Sequence, residues 1–176
     1  MTKLCAKMKL GIKEKIWAPW RMEYITKAIK KDGECLFCKL AKAKFSKKNL
    51  LVHTSKHSFV VMNKYPYNNG HLMVVPKRHT KDFEGLSKEE HQDLHLLLKL
   101  AIRVVSKVYD PQGCNIGMNM GRAAGAGIDA HIHYHVVPRW NGDTNFMPVI
   151  GEVKVISEHI MDSYDRIYKA FKEEKV

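Results

Sequence analysis

The chain has no long hydrophobic run: no apolar stretch in its 176 residues approaches the roughly 18 residues that span a bilayer. That excludes a helical membrane protein. The N-terminal stretch MTKLCAKMKLGIKEKIW breaks its apolar residues with a lysine every two or three positions. It therefore lacks the uninterrupted core of a secretion signal, and a cytoplasmic location is expected. Internal repeats, low-complexity tracts and Gly/Ser linkers are also missing, which excludes repeat architectures and gives no boundary for a second domain. Cysteine is scarce, at four residues, too few for a disulfide scaffold in a cytosolic chain. Cys5 and Cys114 stand alone, one as a tail thiol and the other as a small apolar side chain. Cys35 and Cys38 form CLFC, a spacing shared by redox pairs, half zinc sites and pairs of core thiols. Here it lacks the βαβ surroundings of the redox motif.

What is present is positive charge, unevenly spread. Net charge is +12. Residues 1–50 hold 14 Lys and Arg against four Asp and Glu, and residues 51–176 hold 16 against 14. No nucleic-acid motif accompanies the lysines and no aromatics interleave with them, so a solvated basic arm is expected and a nucleic-acid partner is not. In WAPWRMEYI, Trp17, Trp20 and Tyr24 are expected to pack this arm, residues 1–34, onto a single domain spanning 35–176.

Two β-rich runs, Phe59–Met62 and Leu72–Val75, flank a turn containing Pro66, Asn68, Asn69 and Gly70, which predicts a hairpin with a long loop. Ser87 and Glu90 form a capping box before Leu94, Leu97, Leu98, Ala101, Val105 and Val108, predicting a long amphipathic helix that stops near Asp110-Pro111. A short strand over 115–119 leads into the loop GRAAGAG. A last helix over 157–172 places Ile160, Tyr164, Ile167 and Phe171 on one face. Strands clustered around one crossing helix, without regular βαβ alternation, predict an α+β fold with an antiparallel sheet.

The densest signal is HIHYHVV. On a strand, His131, His133 and His135 share one face at about 6.5–7 Å spacing, with Ile132, Tyr134 and Val136 opposite. That alternation predicts a strand from His131 onward, with one packed and one open face. Three rings so spaced cannot all ligate one ion at about 2.1 Å. Nucleophilic and acid–base chemistry on a phosphate fits better, because neutral imidazole is a good nucleophile and a neighbouring ring can protonate a leaving oxygen. The small residues of GRAAGAGIDA, just upstream, let backbone N–H groups approach an anion. His91 and His95 sit one helical turn apart in HQDLH, without the glutamate of a zinc-protease motif, and are expected on a solvated face.

HIHYHVV fits the histidine triad signature, and NKYPYNNGHLMVVPKRH, WAPWRMEY, CLFC, GRAAGAG and HVVPRWNGDTNFMPV resemble the bacterial branch of that superfamily. This branch is related to diadenosine polyphosphate phosphorylases and fragile-histidine-triad hydrolases. The resemblance covers the chain from about residue 16. It implies an antiparallel sheet of about five strands with one long crossing helix and a C-terminal helix. It implies an enzyme that transfers a nucleotidyl group from diadenosine tetra- or triphosphate to His133, then to phosphate or water, with His135 helping the bridging oxygen leave and His131 supporting the array. His71 corresponds to a fourth active-site histidine, Asn63 to a ribose contact, Met73 to a residue against the base, and Asn119 to a phosphate contact. Where relatives carry a Gln-Ser or Gln-Thr pair this chain reads Gly127-Ile128-Asp129-Ala130. Gly127 then belongs to the phosphate cradle, while Asp129 could repel phosphate, orient a histidine or point away. Zinc-bearing relatives imply a structural zinc on Cys35, Cys38, His79 and His131, which makes His131 a ligand and not a catalyst. A homodimer formed through sheet edges is implied as well. A nucleoside phosphoramidase, or a nucleotide-binding interaction protein with low turnover, are the other functions the residues accommodate.

Overall fold

The computed structural model describes residues 34–143 and 156–174. Residues 1–33 of the basic arm, which include its two tryptophans and Tyr24, lie outside them. Five strands form one antiparallel sheet: β1 (Leu51–Thr54), β2 (Ser58–Met62), β3 (Leu72–Pro76), β4 (Gly113–Met118) and β5 (Tyr134–Arg139), in the order β1-β2-β3-β5-β4. Three helices accompany it: α1 (Leu36–Ala41), α2 (Lys88–Tyr109) and α3 (Ile160–Glu173). The expected α+β class and five-stranded antiparallel sheet are what is found. None of the helices is long and apolar enough to cross a membrane.

Helix α2 begins where the capping box predicts. The Ser87 side chain accepts from the Glu90 amide, and the Glu90 carboxylate accepts from the Ser87 amide. It ends at Asp110, whose left-handed backbone (φ 44°) stops the ladder before Pro111. Leu94, Leu97, Leu98, Ala101, Val104 and Val105 are buried along its inner face. They pack the sheet face that carries Val60, Val74 and Tyr134, three residues in cross-strand register. Helix α3 starts later than the predicted 157, because the His159 side chain accepts from the Met161 amide and so becomes the N-cap. Tyr164, Ile167 and Phe171 are buried on it as expected, and the Tyr164 hydroxyl donates to the Leu51 carbonyl at 3.2 Å.

Two expectations are corrected. Strand β4 begins at Gly113, earlier than residue 115, because pairing with Arg139 at the far end of β5 holds the chain extended there. Strand β5 begins only at Tyr134. Residues 131–133 are connected differently: the Ile132 amide donates to the Thr80 carbonyl at 2.8 Å, outside the ladder. Nor is the histidine face open. All three rings are buried, since α1, a short helix with no strong sequence signal, lays Phe37 against His131 and His133 at centroid distances of 5.3 and 4.8 Å.

Cross-strand register sets the face opposite α2. Val61 pairs with Met73, Met73 with His135, and His135 with Gly117, giving one row across four strands. His71 precedes β3 by one residue, and the two-residue period of a strand puts it on the same face as Met73.

Candidate active site and thiol–imidazole cluster

A cleft of about 430 Å³ opens over that row, with His133, His135, Met73, Asn63, Gly127 and Ile128 among its walls. Three of the residues expected to bind substrate, Asn63, Met73 and Gly127, are thus brought to the same cavity as two of the expected catalytic histidines. Asn119 is not in this cleft; it lines a second cavity that also touches His135. Asp129 turns to Arg122 instead, with its carboxylate 2.7 Å from the guanidinium Nε on the loop surface. That hydrogen bond holds its carboxyl below the ordinary range. Of the three fates left open for Asp129, pairing away from the histidines is the one adopted.

The hydrogen bonds set which nitrogen of each ring donates when the rings are neutral. The Tyr67 backbone N–H, a donor only, points at His71 Nδ1 at 3.0 Å, so Nδ1 is an acceptor and the neutral ring carries its proton on Nε2. His71 Nε2 lies 2.9 Å from His135 Nδ1 and donates to it. A neutral His135 then carries its own proton on Nε2. His133 Nδ1 sits 2.9 Å from the His131 carbonyl, an acceptor only, so Nδ1 donates and the lone pair falls to His133 Nε2. The two rings lie 4.8 Å apart between centroids. With both rings in the neutral form, one presents a nucleophilic nitrogen and its neighbour an N–H donor, the pairing that attack on phosphorus with protonation of a leaving oxygen requires. Tyr67, through its main chain, and Phe37, which covers His133, were not singled out by sequence. An amide in a Pro-Tyr-Asn-Asn loop carries no signal of its own.

His131 faces the other way. It is fully buried, and burial pushes its ring toward the neutral form. Its Nε2–H donates to the Pro76 carbonyl at 2.8 Å, which leaves the Nδ1 lone pair aimed at two sulfurs: Cys35 Sγ at 3.5 Å and Cys38 Sγ at 3.8 Å. His79 Nδ1 is 3.3 Å from Cys38 Sγ. The ligand atoms of Cys35, Cys38, His79 and His131 all lie within 4.8 Å of one another. A tetrahedral ion with metal–sulfur and metal–nitrogen distances of about 2.3 and 2.1 Å needs sulfur–nitrogen edges of about 3.6 Å, and the three measured edges bracket that value. The donor set fits a closed structural site, and the hydrogen bond to the Pro76 carbonyl is the outer contact that orients a ligating imidazole. The expected four ligands are thus assembled together.

The antiparallel sheet, the crossing helix and the buried histidine pair define a histidine triad protein. The HIT domain profile matches residues 44–142, more than half the chain, and the chain belongs to that family as a nucleotide-processing enzyme of the nucleotidyl hydrolase and transferase kind. Among its relatives is the AP-4-A phosphorylase of Mycobacterium tuberculosis, 39% identical over 157 residues, spanning 85% of this chain and 80% of that one. Another is the adenosine 5′-monophosphoramidase of Schizosaccharomyces pombe, 32% identical over 61% of this chain and 75% of that one. The fold is shared with a zinc-bound histidine triad protein from Mycobacterium smegmatis (TM-score 0.64, 24% identity, 80% of this chain and 94% of that one). It is also shared with the Plasmodium falciparum diadenosine triphosphate hydrolase (TM-score 0.60, 21% identity, 86% and 97%).

Proposed function

We propose that the protein cleaves dinucleoside polyphosphates, diadenosine tetraphosphate or triphosphate, through a covalent nucleotidyl-His133. The observation that carries this reading is the complementary hydrogen bonding of His133 Nδ1, to a main-chain carbonyl, and His135 Nδ1, to the His71 ring, at the wall of one cleft. His133 Nε2 attacks the α-phosphorus, and the bond to the bridging oxygen breaks with its electron pair left on that oxygen. The oxygen takes the proton of His135 Nε2. Phosphate or water then attacks the same phosphorus, returns a proton to His135 and releases His133. Splitting one displacement into two replaces a hard attack with two easier ones. The glycine-bearing loop at Gly127 and the wall at Asn63 and Met73 hold the phosphate, ribose and base of the transferred nucleotide. The relationship to the mycobacterial phosphorylase supports phosphate as acceptor, and the fission-yeast relative supports a second reading, cleavage of adenosine phosphoramidates by the same two histidines.

Cys35, Cys38, His79 and His131 would hold a zinc ion that ties α1 to the segments following β3 and preceding β5. Its contribution would be mechanical, since four protein ligands would leave no open position for substrate. The His131 carbonyl, two bonds beyond its ring-bearing Cα–Cβ, is what His133 donates to, so the cluster orients the nucleophile. We also propose a homodimer formed through the edge strand β4, whose residues 115–117 are exposed.

The test supplies diadenosine tetraphosphate with and without phosphate and identifies the products. ATP plus ADP, formed only with phosphate, means phosphorolysis; ATP plus AMP means hydrolysis. His133→Ala abolishes turnover while retaining nucleotide binding. No consumption of any dinucleotide or phosphoramidate by the unsubstituted chain refutes the assignment.

A further inference from the structure

Two main-chain amides of the loop between β2 and β3 act on His71. The Tyr67 N–H donates to His71 Nδ1 at 3.0 Å. The Tyr65 N–H donates to Asn63 Oδ1 at 2.9 Å, which turns the other end of that side-chain amide, Nδ2, toward His71 Nδ1 at 3.4 Å. Both donors to His71 therefore depend on where residues 65–67 sit.

Ladder pairing does not reach that loop. The register of β3 with β5 ends at Leu72 and Val136, and Pro138, further along β5, has no N–H with which to extend it. Asn68 takes over there. Its side chain is buried, and its Nδ2 donates to the Pro138 carbonyl at 3.0 Å and to Asp143 Oδ2 at 2.7 Å. Both partners only accept, so the amide has one orientation. Asp143 is itself clamped: Arg139 bonds both of its carboxylate oxygens, at 2.6 and 2.8 Å, and the Trp140 amide donates to it at 3.2 Å. The Asn68 carbonyl accepts the His71 amide at 3.2 Å, closing the turn in which Gly70 has φ +74°. One residue thus ties the loop to the strand that carries His135 and, through its main chain, to His71.

We infer that Asn68 is a positioning residue for the reaction: by pinning residues 65–67 to β5 it keeps two donors on His71 Nδ1, and so keeps the proton of His135 on Nε2, where the bridging oxygen can take it. A neutral imidazole carries its proton on either nitrogen, and the partner of the other nitrogen decides which. Without the anchor the loop amides can withdraw from Nδ1. The His71 proton then moves from Nε2 to Nδ1, its Nε2 becomes an acceptor, and His135 answers by donating from its own Nδ1. His135 Nε2 is left with a lone pair and no proton to give. This inference rests on the proposed function and adds to it the group that holds the general acid in one tautomer.

Nitrogen-15 NMR of the histidine side chains in the full chain reads the tautomers directly, at about pH 8, above the ordinary histidine range. The unsubstituted protein should show Nε2–H for both His71 and His135. Asn68→Ala removes the anchor, and Asn68→Asp sets an acceptor against two acceptors. Each should bring up the Nδ1–H form of His135 and lower kcat for diadenosine tetraphosphate at least about tenfold, with KM changed less than about twofold. Asn69→Ala, in the same loop but tied to Ser157 at 3.1 Å, should alter neither. The alanine variant adds no charge and carries the test if the aspartate variant does not fold. An unsubstituted protein without the Nε2–H pattern, Asn68 variants that keep it, or an Asn69 variant that loses it as fully, overturns the inference, because loosening of the loop then accounts for any loss of rate. Should the unsubstituted chain consume no dinucleotide, the enzyme reading fails, while the NMR comparison still decides the part played by Asn68.

Discussion

Replacing His71 by phenylalanine isolates the proton pattern from the shape of the site. The new ring keeps the volume and the contact with Tyr67, whose ring centroid lies 4.7 Å from that of His71, but removes both nitrogens. Three hydrogen bonds vanish: Tyr67 N–H and Asn63 Nδ2–H to Nδ1, and Nε2–H to His135 Nδ1. Stability falls by about 1–3 kcal/mol, the cost of a polar group left unsatisfied in a buried place. The activity change is more specific. Without the donor at its Nδ1, His135 is free to hold its proton there instead, on the side away from the bridging oxygen, and general-acid help is lost. Such help is worth at least about 10²-fold, or ~2.7 kcal/mol of barrier. The assay compares kcat/KM for diadenosine tetraphosphate with that for the p-nitrophenyl ester of AMP, whose leaving group departs without a proton. The first should drop about 100-fold and the second less than about threefold. Equal losses for both substrates refute the relay, because they mean that His71 acts only through packing.

Three further outcomes follow from the same structure. Metal analysis should give about one zinc per chain, lost in Cys38→Ser; with free zinc at about a thousand times its Kd the metal adds about 4 kcal/mol, and thermal unfolding indifferent to a chelator refutes the site. Gly70→Ala should cost about 2–4 kcal/mol in a chemical melt, because φ is +74° and the added Cβ lies 2.6 Å from Tyr109 Cε2, a ring tied through its hydroxyl to Glu158 at 2.8 Å; a loss under about 0.5 kcal/mol contradicts that packing. Asp143→Asn should cost about 1–2 kcal/mol at pH 7, discounted because the Arg139 side chain is 43% exposed. The guanidinium holds the Asp143 carboxyl well below its usual range, so the unfolded chain takes up the proton first: the stabilisation is complete above about pH 5 and declines as pH falls through about 4. Melts of the two proteins should therefore converge toward pH 2, and a gap that widens in acid reverses the sign.

Helix α2 was legible because its capping box and apolar spacing agree, and local chemistry settles its limits. The hairpin of β2 and β3 was legible for a similar reason, with Pro, Asn and Gly between two β-branched runs. By contrast β1 is four residues with a register shift between Leu51 and His53, and α1 is six residues whose N-cap, Cys35, makes no side-chain capping hydrogen bond. Neither segment carries enough periodicity to be read. Missing α1 also hid the closure of the histidine face, since Phe37 supplies it from 96 positions upstream of His133. The histidines of the site were named from HIHYHVV and, through the family resemblance, from NNGHLMVV, while the contact of His71 with His135 depends on the pairing of β3 with β5. Which nitrogen of each ring bears hydrogen was not readable, because the deciding groups are the main-chain amide of Tyr67 and the main-chain carbonyl of His131.

That dependence on Tyr67 sets a limit on engineering. A designer who transplants the five-residue histidine run onto the strand of another scaffold carries over three rings but not the loop, more than sixty positions earlier in the chain, that dictates where their hydrogens reside. Such a graft can reproduce the arrangement of atoms and still offer a phosphate two identical faces, so the smallest portable unit of this chemistry is the pair of neighbouring strands together with the turn that precedes the first of them.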